Sequence, residues 1–134
     1  MPTIFTRIIQ GEIPCHKVAE SNRYFAFLDI RPLAMGHTLV IPKAEVDYFY
    51  DLEDRDLADL MVFSKGVAAA IRQTVPCKRI GVSVVGLEVP HAHVHLIPLQ
   101  SLHDMSFEKE PLEVSQEDLA ALAAQIRKVY DANN

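Results

Sequence analysis

His91, His93 and His95 stand at alternate positions in the run His91-Ala92-His93-Val94-His95-Leu96-Ile97-Pro98. Alternation is the period of a β-strand, so the three imidazoles project from one sheet face while Ala92, Val94 and Leu96 point into a core. Histidine is a nucleophile, a general base and a hydrogen-bond donor near neutral pH, which makes such a row a chemical surface. A single metal ion suits it poorly. On an extended strand the Cα atoms of His91 and His95 lie roughly 13 Å apart, and tetrahedral ligation needs its ligands closer together. A His-x-His pair with a distant third ligand stays open as the alternative. A phosphate-sized group, with oxygens spread around phosphorus, fits a row of donors better.

The rest of the composition narrows the chemistry. The chain has five glycines and neither a dinucleotide fingerprint nor a P-loop pattern, so no glycine-rich cradle is available for phosphate. No Ser or Cys lies in a nucleophile motif, which leaves histidine as the best candidate for covalent catalysis. A neutral imidazole nitrogen can attack phosphorus, and water can break the resulting P–N bond. Attack by His93 is geometrically natural, because a histidine on each side can bind phosphate oxygens and pass a proton.

The elements that must position these residues are legible in outline. Ile4, Phe5, Ile8 and Ile9 recur at helical spacing before Gly11 and Pro14. Lys17 to Ala19 and Tyr24 to Leu28 read as strands joined at Ser21-Asn22. The second strand places Phe25, Phe27 and Asp29 on one face, where a ring can stack on a base and a carboxylate can accept from a ribose diol. A turn role for Asp29 ahead of Pro32 is the equal alternative. Gly36 to Ile41 is a third strand, with His37 sharing a face with Leu39 and Ile41; taken alone, His37 reads as a core histidine. From Asp54, Leu57, Leu60, Met61, Ser64, Val67, Ala68, Ile71 and Val75 form a long helical stripe closed by Pro76. That stripe must bury against the apolar backs of the strands.

Arg79 to Val85 is a fourth strand, with Gly81 and Ser83 leaving room beside the histidines. Gln100 to Val114 is polar and irregular, and His103 within it reads as a surface residue. A last helix follows, capped by Ser115 and apolar at Leu119, Leu122, Ala123, Ile126 and Tyr130. The expectation is one α+β domain over 1–134, with its core in about 1–100 and an appended segment and helix over 100–134. A net charge of −5 without a basic cluster argues against nucleic acid as partner. No run approaches a membrane span and no secretory signal is evident, so a cytoplasmic location is expected. The two cysteines, Cys15 and Cys77, are too few for a disulfide framework.

The segment His91 to Ile97 resembles the complete signature of the histidine triad (HIT) family. Phe27-Leu28-Asp29-Ile30-Arg31-Pro32, Gly36 to Lys43, and Thr3-Ile4-Phe5 through Pro14 are similar to further segments of that family, closest to its nucleoside phosphoramidase branch. The resemblance implies a five-stranded antiparallel sheet with one long helix and a C-terminal helix, paired as a homodimer into a ten-stranded sheet. It implies His93 as nucleophile, His95 on phosphate, and His91 and His37 in support. It also implies Asp29 on the ribose, Ile4, Phe5, Ile8, Phe27 and Ile30 around the base, and Gly86, Glu88 and Val89 by the phosphate. The reaction implied is hydrolysis of a purine nucleoside 5′-phosphoramidate to the monophosphate and an amine, without a cofactor. The alternatives are a nucleotide-binding module with little turnover, a dinucleoside polyphosphate hydrolase, or a metal-binding protein.

Several positions depart from the family pattern. Thr3 and Thr6 stand where many bacterial relatives carry a zinc-binding Cys-x-x-Cys, so no such metal is expected. Leu87 replaces a common Gln, and Ser83-Val84-Val85 runs straight into Gly86 without the usual asparagine- and glycine-containing loop.

Overall fold

A computed structural model describes residues 2–134. Its elements run α1 (Ile4–Ile9), β1 (Lys17–Glu20), β2 (Tyr24–Leu28), β3 (Thr38–Pro42), a 3-10 turn at Phe49–Asp51, α2 (Asp54–Thr74), β4 (Arg79–Ser83), β5 (Val94–Leu99), a 3-10 turn at Leu102–Met105, and α3 (Gln116–Asn133). The strands form one antiparallel sheet in the order β1-β2-β3-β5-β4. This is the five-stranded α+β architecture expected from the sequence.

Each face of the sheet buries its own core, which is why the central strands read as nearly continuous apolar runs. Along β2, Tyr24, Ala26 and Leu28 join Val40, Val94 and Leu96 on the face covered by α2 and α3. The intervening Phe25 and Phe27 join Leu39, Ile41 and Phe5 of α1 on the opposite face. On α2, the buried line is Leu60, Ser64, Val67 and Ile71 with Ala70, and the Ser64 hydroxyl donates to the Leu60 carbonyl at 2.8 Å. Met61, expected in that line, sits at its exposed edge because Ala70 and Ile71 centre the buried face one position around the helix. Ser115 caps α3, accepting from the Asp118 N–H. Among the described residues no helix is long and apolar enough to cross a membrane.

The strand ends are trimmed relative to the sequence expectation, and each trim has a local cause. β5 begins at Val94, its partner being Val40 on β3, so His91 to His93 precede the ladder. Their backbone is held instead by the Ala92 N–H donating to the Val46 carbonyl at 2.6 Å. The alternation nevertheless persists, with Ala92, Val94 and Leu96 all in the α2–α3 core. β4 stops at Ser83, opposite His95, and Val84 and Val85 then leave the sheet exposed.

β3 begins at Thr38 because Gly36 lies in a turn, with φ +94°. The His37 N–H closes that turn on the Ala34 carbonyl at 3.0 Å, which delivers His37 to the head of the strand. A side chain at Gly36 would meet two obstacles. Its φ belongs to the region that costs an L-residue about 1–2 kcal/mol, and its Cβ would lie 3.0 Å from Val75 Cγ2 and 3.2 Å from Pro98 Cγ. Gly36→Ala is therefore expected to destabilise the protein by roughly 2–3 kcal/mol. Urea denaturation followed by far-UV circular dichroism checks this, and a loss below half a kcal/mol contradicts it.

Candidate active site

Backbone groups fix the proton of every histidine in the row. The Leu33 N–H, an obligate donor, reaches His37 Nδ1 at 3.0 Å, so this nitrogen is bare. The neutral ring then carries its proton on Nε2, which donates to His95 Nδ1 at 2.9 Å. His95 in turn must hold its proton on Nε2. His93 is set the opposite way: its Nδ1–H donates to the His91 carbonyl at 2.7 Å, leaving Nε2 with a free lone pair. His91 donates from Nε2 to the Pro42 carbonyl at 2.8 Å, and its Nδ1 accepts the Thr3 hydroxyl at 2.7 Å. Among the described residues no fully buried side-chain nitrogen or oxygen lacks a partner, so the two unbonded nitrogens, His93 Nε2 and His95 Nε2, reach open space. One offers a lone pair, the other a proton, on rings 5.0 Å apart.

Phe5 ties this row to the apolar cluster beside it. Its ring meets His93 edge-on at 5.1 Å, His91 at 5.7 Å and Phe27 at 5.5 Å. Ile8 and Val89 pack on the same cluster, so four of the residues expected around base and phosphate are brought together next to the histidines. Ile4 and Ile30, 48% and 57% exposed, are not part of its packed wall. Of the two roles considered for Asp29, the turn role is present. Its Oδ1 accepts the Arg31 N–H at 2.9 Å in a turn, and its Oδ2 faces His37 Nε2 at 3.8 Å. Gly86 and Glu88 are exposed; Gly86 joins His93, Tyr48, Phe49, Tyr50 and Val84 around a cavity of about 310 Å³. The side chain of Leu87 is 88% exposed.

Asp29, His37 and His95 bring a carboxylate and two ring nitrogens within 4.8 Å of one another. They do not suit a cation. His37 Nε2 is protonated because Leu33 occupies Nδ1, and its proton already fills the lone pair of His95 Nδ1. Thr3 and Thr6 are likewise engaged in hydrogen bonds. Glu45 accepts from the Thr3 N–H at 2.7 Å and the Thr6 hydroxyl at 2.6 Å, docking the start of α1 against the loop after β3. Sequence reasoning missed Glu45, Leu33, Pro42 and Phe107, whose ring meets His95 at 4.9 Å. Three of these act through backbone or distant chain, for which no local spacing gives a signal.

A row of imidazoles with one free lone pair beside one free N–H, mounted on an antiparallel sheet between two helical covers, defines a histidine-based site of a recognisable class. The HIT domain family matches residues 10–102, and the chain belongs to that family. Among similar curated proteins are the adenosine 5′-monophosphoramidases of Saccharomyces cerevisiae, 41% identical over 96 residues, and Schizosaccharomyces pombe, 38% identical over 99. The matches cover 71% and 73% of this chain and 61% and 74% of those proteins. In solved structures, a HIT-like protein from Bartonella henselae superposes with a TM-score of 0.81 at 30% identity, covering 95% of both chains. A hypothetical histidine triad nucleotide-binding protein from Sulfolobus tokodaii gives 0.81 at 28%, covering 96% of this chain and 91% of that one.

Burial dominates the electrostatics of the row. It pushes His37 down to about 3, with the charges of His95 and Lys109 adding to the effect, and His95 down to about 4, helped by His93. His91 is lowered by burial as well. All three are neutral at pH 7, as the tautomer assignment requires. Unfolded histidines titrate near 6.5, so below that pH the unfolded state binds protons the folded state refuses. The stability these rings contribute is thus full above about pH 6.5 and is lost as pH falls towards 4 and 3, at up to about 1.4 kcal/mol per pH unit for each ring. Asp29, raised by burial, runs in the opposite sense at lower pH. Urea midpoints should fall between pH 7 and 5, and more steeply in the wild type than in His37→Gln. Parallel slopes would remove His37 from this linkage.

Proposed function

We propose that this protein is a metal-independent hydrolase of purine nucleoside 5′-phosphoramidates. The observation that carries the reading is the proton arrangement: His93 Nε2 offers a lone pair and His95 Nε2 offers a proton, neither is sealed off in the interior, and their rings are 5.0 Å apart. In this reading His93 Nε2 attacks phosphorus and the P–N bond to the amine breaks. His95 binds a phosphate oxygen as charge builds there and supplies the proton that the leaving nitrogen needs. Water then attacks phosphorus and gives a proton back to His95 Nε2, the bond to His93 breaks, and the nucleoside monophosphate leaves with His93 Nε2 again bare. His37 and His91 act behind these two, holding proton and orientation. The fungal relatives named as adenosine 5′-monophosphoramidases support the substrate class.

The nucleoside is assigned to the side of Phe5, Ile8 and Phe27, with Ile4 and Ile30 at the rim and Asp29 Oδ2 accepting from the ribose diol. Gly86, Glu88 and Val89 are assigned to the phosphate side. The free edge of β4, with Val82, Val84 and Val85 exposed, supports a homodimer that extends the sheet to ten strands. A cytoplasmic setting fits both the substrate and two reduced cysteines. The second reading, a nucleotide-binding module with little turnover, is favoured by one observation. Val84, Val85 and Leu87 place exposed apolar side chains where a phosphate site calls for polar ones.

Turnover separates the two. His93→Ala should leave AMP affinity nearly intact and lower kcat by several powers of ten, as loss of a nucleophile does. Rapid quench of the wild type with labelled substrate should trap the nucleotidyl group on His93. Binding of AMP without any hydrolysis under excess enzyme supports the module instead. For the ribose contact, Asp29→Ala should weaken AMP by roughly tenfold and leave the 2′,3′-dideoxy analogue unchanged. Calorimetry showing equal losses for both ligands would take Asp29 out of the site.

A further inference from the structure

The segment between β5 and α3 is the part of the chain with the least regular structure, yet it crosses the histidine face. It is anchored at its start by Asp104, whose Oδ2 accepts the N–H groups of Gln100 and Ser101 at 2.7 and 3.1 Å. Gln100 Nε2 adds a bond to the Pro76 carbonyl at 2.9 Å. At its far end the Leu112 N–H donates to the Pro32 carbonyl at 2.8 Å, next to the Leu33 N–H that sets the proton of His37. The room that Gly81 leaves on β4 is filled from this segment. A Cβ there would strike the methyl end of Met105 and lie 2.6 Å from Leu99 Cδ1.

With both ends fixed, the middle presents Phe107 edge-on to His95, centroids 4.9 Å apart and planes at 75°. On the other side of the pair, Phe5 meets His93 at 5.1 Å and 85°. The two histidines with free nitrogens thus stand between two phenyl rings. Phe107 is itself 43% exposed, so it is a cover and not a core residue, whereas the His95 ring beneath it is buried.

We propose that Phe107 is a positioning residue for His95, and that the strap over residues 100–114 forms the outer wall of the phosphate side of the site. The ring blocks rotation of the imidazole away from His37 and keeps water from displacing the His37–His95 hydrogen bond. The Nε2 proton of His95 is thereby held in one direction before substrate arrives. The catalytic part of this rests on the phosphoramidase reading; the positioning part does not.

The groups facing His95 are His93 on its own segment and His37 at the head of β3 with Asp29 Oδ2 behind it; Lys109, 3.8 Å from Asp104, has its charge bear on His37. None of them changes when Phe107 is replaced. Burial is the largest cause of the low His95 value, near 4, so uncovering the ring should raise it towards 6.5. The test is an NMR titration of the histidine rings in the full chain for wild type, Phe107→Ala and Phe107→Leu. The His95 midpoint should rise by a unit or more, on the order of the burial contribution, in Phe107→Ala, and return most of the way in Phe107→Leu, which restores an apolar cover. With an adenosine 5′-phosphoramidate, kcat for Phe107→Ala should fall roughly ten- to a hundredfold while KM changes little. An unmoved His95 titration in Phe107→Ala overturns the proposal whatever the turnover. A moved titration in a protein without hydrolysis upholds the positioning and discards only the phosphoramidase reading.

Discussion

The N–H of Leu33, donated to His37 Nδ1, is the contact on which the chemistry of this protein depends. An imidazole alone is indifferent between its two tautomers, and a row of imidazoles alone would exchange protons freely. A backbone amide cannot give up its proton, so it settles the first ring, the first ring settles His95, and the carbonyl of His91 independently settles His93. The result is a bare ring nitrogen and a ring N–H on neighbouring histidines with no charged residue needed to distinguish them. Burial makes this arrangement durable: protonation of His37 would break its bond to Leu33, and its folded-state value near 3 keeps that event far from neutral pH.

Burying four histidines is tolerable because the surrounding turns satisfy them. An unpaired buried ring nitrogen costs about 1–3 kcal/mol, and in this site the partners come from Thr3, Leu33, Pro42 and the chain at His91 itself. Glu45 extends the same logic outward by holding Thr3 through its N–H and Thr6 through its hydroxyl. The cap of α1 is therefore also a contact of the histidine row, and α1 delivers Phe5 to His93. Helix placement and histidine orientation are one problem with one solution.

What the sequence reveals of this follows from the reach of periodicity. Alternation in His91 to Leu96 and Tyr24 to Leu28 identifies the faces correctly, since side chains two apart on a strand share a face whatever the neighbours do. The α2 stripe and the Ser115 cap are local features and read as such. Strand ends read less well, because they are decided by partners: β4 ends where β5 turns to its histidines, and β3 starts after a glycine turn. The pairing of His37 with His95 spans 58 residues and the contact of Thr3 with His91 spans 88, so neither leaves any local pattern. Gly81 is instructive. Its smallness was legible as room beside the histidines, but the occupant, Met105, comes from a polar stretch whose composition gives no hint of packing.

Contributions from such distant points make the site a property of the whole fold. Thr3 lies before α1, Leu33 and His37 between β2 and β3, Pro42 at the end of β3, His93 and His95 around the start of β5, and Phe107 beyond it. No two consecutive elements contain even the three groups that fix the protons of His93 and His95. The site therefore cannot form until β2, β3 and β5 have paired, and any loosening of that sheet reaches the tautomers before it reaches the helices on the far face. Correct assembly is what separates His93 and His95 from His103, an exposed histidine in the same chain.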